Sequence, residues 1–145
     1  MKLAPSKSLL AALIPIGALA ATTLYADYRL DGRVTHVRDV DTIEVDGIAI
    51  RLNGVDGPEL SEPFGPTATG FMRELVHGRY VSCSLNGESN GDRYIGVCFL
   101  DGQDIGAVAI ASGMALDCRR YSGGRYAHLE IQGAVRRLGG RAGYS

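Results

Sequence analysis

A chain of 145 residues has room for one domain with a hydrophobic core. Its 46% hydrophobic and 21% charged residues are typical of a globular protein and exclude an intrinsically disordered one. A formal net charge of −1 also excludes the uniformly basic surface that holds long nucleic acids tightly.

Residues 1–26 have the pattern of a secretory signal. Lys2 and Lys7 precede an apolar run at 9–21, and small residues at 18–20 form an A-x-A arrangement. A proline and a glycine within so short a run favour a signal over the alternative, an uncleaved membrane anchor. We therefore expect a secreted or periplasmic protein, attached to a membrane only if this segment stays uncleaved.

The charge of the remaining chain, residues 27–145, is unevenly distributed. It has 13 arginines and no lysine against 16 acidic residues, a net charge of −3. Residues 119–145 hold six of these arginines and a single acid, Glu130. A basic footprint for phosphate binding is therefore expected only in the C-terminal segment.

Alternating and helical hydrophobic patterns predict the secondary structure. The clearest signal is Asp46-Gly47 between alternating runs at 42–45 and 48–52, which predicts a type I′ hairpin because both central residues need positive φ. The predicted elements are a strand near 33–37, strands at 42–45 and 48–52, a helix from Gly65 to Gly78, strands at 80–85 and 95–100 joined by a loop at 86–92, a helix from an Asp104 cap to Gly113, and a weaker helix from a Ser122 cap to Leu138.

The order of these elements predicts the fold class. Three strands, a helix, two strands and two further helices make an α+β protein, a five-stranded OB-type barrel with three α-helices. The prediction treats residues 27–145 as one such domain. Folds of this type often bind oligonucleotides, but the fold alone does not establish a function.

Acidic residues lie at the ends of the second and third predicted strands. Asp41 enters the second strand, and Asp56 and Gly57 follow the third. Hard divalent cations prefer carboxylate and carbonyl oxygens, so these residues are candidate ligands of a metal ion.

Two arginines and a glutamate near the same strand ends suit phosphate chemistry. Arg51 and Arg93 could flank a phosphate, because arginine stays protonated and binds phosphate bidentately. Glu59 is placed to activate a water molecule. Taken singly, such residues are more often caps or solvated loop residues, so spacing alone indicates only a metal and phosphate site.

Four sequence runs, in order, carry a resemblance to a known family: V-R-D-V-D-T-I-E-V-D-G, I-R-L-N-G-V-D-G-P-E, D-R-Y-I-G-V-C-F-L-D-G-Q-D-I-G and G-M-A-L-D-C-R-R-Y-S-G-G-R-Y. They resemble the staphylococcal nuclease (thermonuclease) family over roughly Arg33 to Leu138. The family's D-G-D-T motif matches residues 39–42, and its R-L-x-x-x-D-x-P-E segment matches residues 51–59.

The resemblance implies one bound calcium ion. Its ligands would be Asp41, Asp56 and the Gly57 carbonyl. Asp39 would not bind the ion itself but would contact its ligands.

The resemblance also implies the catalytic residues and the reaction. Glu59 would be the general base, and Arg51 and Arg93 would bind the phosphate and its transition state. The implied activity is calcium-dependent cleavage of single-stranded or denatured DNA and of RNA, with little sequence specificity and 3′-phosphate products. We expect a monomer without an obligate protein partner.

Two positions depart from the family pattern. Val40 replaces the common glycine, so this turn cannot rely on positive φ. Asp92 places a negative charge beside Arg93, which predicts a weaker hold on phosphate. The alternative function is therefore a weakly active or inactive OB-fold module that binds nucleic acid or a protein partner at the cell envelope.

The three cysteines suggest one disulfide in an exported protein. Cys83 and Cys98 lie on the two strands of one predicted hairpin, where cross-strand partners come close, so we expect them to pair. Cys118 would then be free, or would pair with Cys98 instead.

Three tyrosines of the C-terminal segment, Tyr121, Tyr126 and Tyr144, are candidates for stacking on bases. The plainer interpretation is that Tyr126 packs in the third helix and the other two are partly exposed.

Overall fold

The computed structural model describes residues 28–145. The predicted signal segment, residues 1–26, lies outside the described residues. Between residues 28 and 145, none of the helices is long and apolar enough to cross a membrane.

The chain forms an α+β fold of short helices around strands. Its elements are β1 Tyr28–Asp39, β2 Thr42–Val45, β3 Ile48–Leu52, β4 Val55–Asp56, α1 Gly65–Val76, β5 Tyr80–Asn90, β6 Arg93–Leu100, β7 Gln103–Asp104, α2 Ile105–Ala111, β8 Leu116–Asp117, α3 Arg119–Ser122, a 3-10 turn Ala127–Leu129 and α4 Ala134–Arg137.

Five strands close into a hydrogen-bonded ring. The order is β3-β2-β1-β5-β6, and β3 closes the ring by pairing in parallel with β6 over Ile50–Leu52 and Tyr94–Gly96. Register shifts interrupt the β1–β2 and β5–β6 ladders, so the ring is not evenly barrel-like. The prediction of five principal strands is thus confirmed, with a two-residue strand, β7, extending the sheet at β6.

The predicted β2–β3 hairpin is confirmed. Asp46 and Gly47 have φ angles of 48° and 80°, as the two central residues of a type I′ turn require. The loop predicted at 86–92 is wrong for most of its length, because β5 continues to Asn90 and pairs there with Arg93. Cross-strand pairing has overridden the loop-like composition of that segment.

The prediction of three helices is wrong: residues 28–145 contain four. The helix expected from Ser122 to Leu138 is divided into α3, the 3-10 turn and α4, and Ser122 ends α3 instead of capping a helix. Gly123, Gly124 and Gly133 have φ angles of 66°, 82° and 80°, a left-handed conformation that cannot continue a right-handed helix.

The first two helices match their predictions and cover the core. Ala68, Met72 and Val76 recur at helical spacing on one face of α1, and all three are fully buried. Each large apolar side chain buried in this way contributes about 1.5–3 kcal/mol to stability. Asp104 caps α2 by accepting hydrogen bonds from the backbone N–H groups of residues 106 and 107.

A second, two-stranded sheet ties the C-terminal part of the chain to the β3–β4 turn. Val55 pairs with Asp117 and Asp56 with Leu116 in antiparallel fashion. A side chain at Gly54 would collide with Ser122, so α3 packs directly against this turn. The segment that follows β3 is thereby fixed between the ring and the C-terminal helices.

Candidate active site

A groove of about 790 Å³ lies where β3, the segment after β4, and the β5–β6 hairpin meet. All three predicted catalytic residues, Arg51, Glu59 and Arg93, line it. The fold therefore brings together residues that are up to 42 positions apart in sequence, as a phosphate site requires. Other lining residues include Asn53, Glu88, Asn90, Tyr121 and Tyr144.

Arg51 is held at the groove floor and is not the solvated strand residue that its position alone would suggest. Its side chain is only 14% exposed. Nη1 donates to the carbonyl oxygens of Leu52 at 3.0 Å and Val55 at 2.6 Å, while Nη2 lies 3.3 Å from Asp41 Oδ2. These contacts fix the guanidinium plane before any phosphate binds, which suits it to electrostatic stabilisation of a developing charge.

Asp41 is a buried carboxylate surrounded by donors. It accepts a hydrogen bond from Thr42 Oγ1 at 3.0 Å and another from the Gly57 backbone N–H at 3.2 Å. Burial raises the pKa of Asp41 well above its ordinary value, the Arg51 charge opposes this rise, and the Asp39 carboxylate adds to it. The ionised form of Asp41 is therefore only partly stabilised by its neighbours, and a bound cation would stabilise it further.

Asp39 and Asp56 are the two other acids near this position, and both are buried. Asp39 accepts a hydrogen bond from the Asp41 backbone N–H at 3.1 Å, behind the predicted ligand. Asp56 Oδ2 accepts a hydrogen bond at 2.9 Å from the backbone N–H of Ala142, near the C-terminal end of the described chain. The Gly57 hydrogen bond to Asp41 places the segment beginning at Asp56 beside the first carboxylate.

The donor set fits a hard cation of the calcium type. Two buried carboxylates, Asp41 and Asp56, and the Gly57 backbone supply oxygen atoms, which Ca²⁺ prefers over nitrogen or sulfur. Residues 28–145 contain no group of three or more His, Cys, Asp or Glu side chains placed to hold a metal. A cation here would consequently take its remaining ligands from water, backbone carbonyls or substrate.

Glu59 projects from a tightly turned segment between β4 and α1. Its backbone N–H donates to Glu62 Oε2 at 2.7 Å, and its carbonyl accepts from the Glu62 N–H at 2.9 Å. A side chain at Gly65 would collide with the Glu59 carbonyl oxygen, so the start of α1 packs directly against it. The backbone is thus held firmly while the carboxylate stays exposed at the groove, where a water molecule can reach it.

Arg93 reaches the groove from the first residue of β6. Its Nη1 donates to Thr42 Oγ1 at 3.3 Å, and the same hydroxyl group donates to Asp41. Thr42 thereby joins the second arginine to the buried carboxylate, a link that the sequence analysis did not identify.

The Asp92 side chain makes its ion pair with Arg38 and not with its sequence neighbour Arg93. Asp92 forms an ion pair with Arg38 at 2.8 Å, and Arg38 also contacts Glu44 at 2.8 Å. The hydrogen bond from Arg38 is the main cause that lowers the pKa of Asp92. Asp92 is therefore held in contact with Arg38, while its charge still acts on Arg93 at longer range.

Val40 fills the space that the family glycine would leave. It is fully buried and does not have a positive φ. A side chain at Gly57 would come within 2.0 Å of Val40 Cγ1, so the two positions pack in direct contact. Gly57 therefore has no room for a side chain beside Val40.

The cysteines and tyrosines take clear positions. Cys83 and Cys98 form a disulfide across directly paired positions of β5 and β6, the pair favoured by the predicted hairpin, and Cys118 is free and buried.

Tyr126 is buried and donates its hydroxyl hydrogen to Asp104, which removes it as a stacking candidate. Tyr121 and Tyr144 are about half exposed and line the groove.

The contact of the C-terminal residues with Asp56 is a further part of the site that the sequence did not indicate. Residues 141–145 lie against Asp56 and Tyr121 through the Ala142 N–H and the Tyr144 ring. No motif marks this segment, since its contact with Asp56 joins residues 86 positions apart.

Comparison with known proteins gives relatives for this chain. The family described as "Staphylococcal nuclease homologue" matches residues 49–135. A "Micrococcal nuclease" of Shigella flexneri is 31% identical over 135 residues, covering 79% of this chain and 75% of that protein.

Three similar proteins carry the printed name "Uncharacterized endonuclease", and two of them illustrate the match. One, from Escherichia coli O157:H7, is 31% identical over 98 residues, covering 64% of each chain. The other, from Haemophilus influenzae, is 28% identical over 95 residues, covering 62% of this chain and 53% of that protein. This chain thus spans between about half and two thirds of the lengths of these two relatives.

The matched segment contains Arg51, Asp56, Glu59 and Arg93, and it begins within β3 and ends within α4. The chain belongs to the staphylococcal nuclease family.

Proposed function

We propose that this protein is a calcium-dependent nuclease that hydrolyses phosphodiester bonds of DNA and RNA with low sequence specificity. The observation that carries this proposal is the groove in which Arg51, Glu59 and Arg93 converge beside the buried carboxylate of Asp41. The ring of strands then serves as a distorted OB-type barrel that holds these side chains in place.

In this reaction the two arginines bind one phosphate. Arg51 is already oriented by two backbone carbonyls, and Arg93 by the Thr42 hydroxyl, so little rearrangement is needed when the substrate arrives. Both guanidinium groups stay charged and stabilise the extra negative charge that develops on phosphorus-bound oxygens in the transition state. Removal of one such donor costs about 10²-fold to 10³-fold in kcat.

Glu59 acts as the general base. Its exposed carboxylate takes a proton from a water molecule, whose oxygen forms the new bond to phosphorus. The bond from phosphorus to the 5′ oxygen breaks, and the departing oxygen takes up a proton, which leaves a 3′-phosphate and a 5′-hydroxyl end. Calcium held by Asp41, Asp56 and the Gly57 carbonyl would supply Lewis-acid polarisation of the phosphate.

We also propose that the protein works outside the cytoplasm. The signal pattern at residues 1–26 and the Cys83–Cys98 disulfide both support an oxidising compartment. The substrates we propose are single-stranded or denatured DNA and RNA, bound by a monomer. Arg119 and Arg120, which are exposed next to the groove-lining Tyr121, offer additional phosphate contacts.

A pair of glutamate substitutions tests the assignment of the base. We expect Glu59→Gln to lower kcat by about 10²-fold to 10⁴-fold with little change in the midpoint of thermal unfolding. Glu88→Gln is the matched control, because Glu88 is an exposed glutamate that lines the same groove. Equal activity in the two variants would refute the role of Glu59, since the groove then responds only to lost charge.

A further inference from the structure

The last residues of the chain form a strap across one side of the proposed cation site. We call residues 141–145 the C-terminal strap. Its Ala142 N–H donates to Asp56 Oδ2 at 2.9 Å, and Tyr144 lines the groove together with Arg51. A backbone group therefore occupies one oxygen of a carboxylate that is itself only 6% exposed.

The strap is firmly anchored beside this contact. Arg141 Nη2 lies 2.6 Å from Glu130 Oε2, and Nη1 donates at 2.8 Å both to Glu130 Oε1 and to the carbonyl oxygen of Asp117. The Glu130 side chain, which belongs to the only acidic residue after position 118, is 14% exposed. A bidentate pair of this kind holds its partners in one geometry.

The same anchor also holds the strand that carries Asp56. Glu130 Oε1 accepts a hydrogen bond at 2.7 Å from the backbone N–H of Asp117. Asp117 and Leu116 form β8, which pairs with Val55 and Asp56 of β4. Strap and carboxylate are thus positioned relative to each other by one set of contacts, which suits a fixed support better than a segment that swings away.

The hydrogen bond leaves the other oxygen of Asp56 available. The Ala142 N–H is bonded to Oδ2 and not to Oδ1. A carboxylate that accepts a backbone N–H on one oxygen is restrained in rotation and presents the other oxygen in a defined direction. Hydrogen bonds behind metal-binding carboxylates orient these ligands, and their loss typically costs about 10-fold to 100-fold in metal affinity.

We propose that the C-terminal strap is a positioning element that orients Asp56 for cation binding through the backbone N–H of Ala142. This proposal rests on the calcium site of the proposed function. It adds a part of the site that lies beyond the segment matched by the family, residues 49–135.

Proline substitution tests the proposal because it removes one N–H group. Ala142→Pro deletes the donor to Asp56, whereas Gly143→Pro is the control, since Gly143 is exposed and has open space where its side chain would be. Calcium binding to the full chain is measured by titration calorimetry without nucleic acid. We expect Ala142→Pro to weaken calcium binding about tenfold and Gly143→Pro to leave it within about twofold.

Thermal unfolding separates positioning from general damage. We expect both proline variants to unfold at similar temperatures without calcium, and only Ala142→Pro to show a smaller calcium-induced rise, by the amount that tenfold weaker binding implies. Arg141→Gln, which loosens the anchor but keeps the Ala142 N–H, should lose part of the calcium affinity.

Other results overturn one proposal or the other. Tighter calcium binding by Ala142→Pro would mean that the strap competes with the cation, and unchanged binding would mean that it does not act on Asp56. Either result refutes the proposed role of the strap but does not affect the nuclease proposal. Absence of calcium binding in the unaltered protein would instead refute the calcium site on which both proposals rest.

Discussion

Gly57→Ala tests the packing that holds the proposed site together. A methyl group at this position would lie 2.0 Å from Val40 Cγ1, whereas carbon atoms in contact prefer about 3.5–4.0 Å. Val40 is fully buried, so it has no open space into which to move. Forcing additional carbon into a packed core costs about 1–3 kcal/mol. We expect Gly57→Ala to reduce the free energy of unfolding by about 2 kcal/mol.

A double-mutant cycle measured by urea unfolding, followed by circular dichroism, identifies the cause. Val40→Ala alone should cost about 1.6 kcal/mol, because it removes two buried carbon atoms. In Val40→Ala/Gly57→Ala the clash is gone, so the combined loss should be smaller than the sum of the single losses by at least about 1 kcal/mol. Additive losses would refute the proposed contact between these two side chains.

Gly70→Ala is the control for the general effect of replacing glycine. Gly70 lies within α1, does not have positive φ and has open space around the position of an added methyl group. We expect Gly70→Ala to stabilise the protein by about 0.5–1 kcal/mol. A loss as large as that of Gly57→Ala would show that the effect is not specific to the Val40 contact.

Three further predictions concern charges and the disulfide. Arg38→Gln should lower kcat/KM about threefold, because it frees Asp92 to pair with Arg93. Adding Asp92→Asn to Arg38→Gln should restore kcat/KM, and a loss that persists in this double variant argues against the pairing. Because Arg141 holds the pKa of Glu130 below its ordinary 4.5, this pair stabilises the fold above pH 4.5 and loses that effect on acidification. Urea unfolding should therefore show Glu130→Gln to be less stable than the unaltered protein by about 1 kcal/mol at pH 7, with the difference shrinking toward pH 3 and not growing. Reducing the disulfide, which closes a loop of 15 residues, should cost about 3 kcal/mol in the same assay, whereas unchanged stability would contradict its structural role.

Local turn chemistry made part of the fold predictable. The Asp46-Gly47 dipeptide determines its own turn, because few other residue pairs adopt positive φ twice in succession, and the β2–β3 hairpin follows from it. The cap of α2 at Asp104 was predictable for the same kind of reason, since its side chain satisfies N–H groups two and three residues away.

Longer-range pairing made other parts unpredictable. Residues 86–90 have the composition of a loop, yet they belong to β5, because β6 pairs with its end at Ser89 and Asn90 after a register shift. The apolar pattern between Ser122 and Leu138 indicates one helix, but three glycines in the left-handed conformation divide it. Whether such a segment becomes a strand, a loop or a helix depends on the segments that lie beside it in the folded chain.

The candidate site shows the same division. Arg51, Asp56 and Glu59 were predicted from the resemblance of residues 51–59 to one family segment, and the structure places Arg51 and Glu59 in one groove. The pairing of Asp92 with Arg38 was missed. Asp92 is next to Arg93 in sequence, but its ion-pair partner in the fold is Arg38. The contact of the strap with Asp56 was missed, because a backbone N–H leaves no signature in the side-chain pattern.

Calcium-dependent nuclease activity is tested most directly by cleavage of heat-denatured DNA and of RNA by the full chain, first with calcium and then with excess chelator. We expect cleavage of both polymers to fragments with 3′-phosphate ends, its loss with chelator, and its return when calcium is restored. No cleavage by a folded protein that still binds oligonucleotides, or cleavage indifferent to chelator, would contradict it.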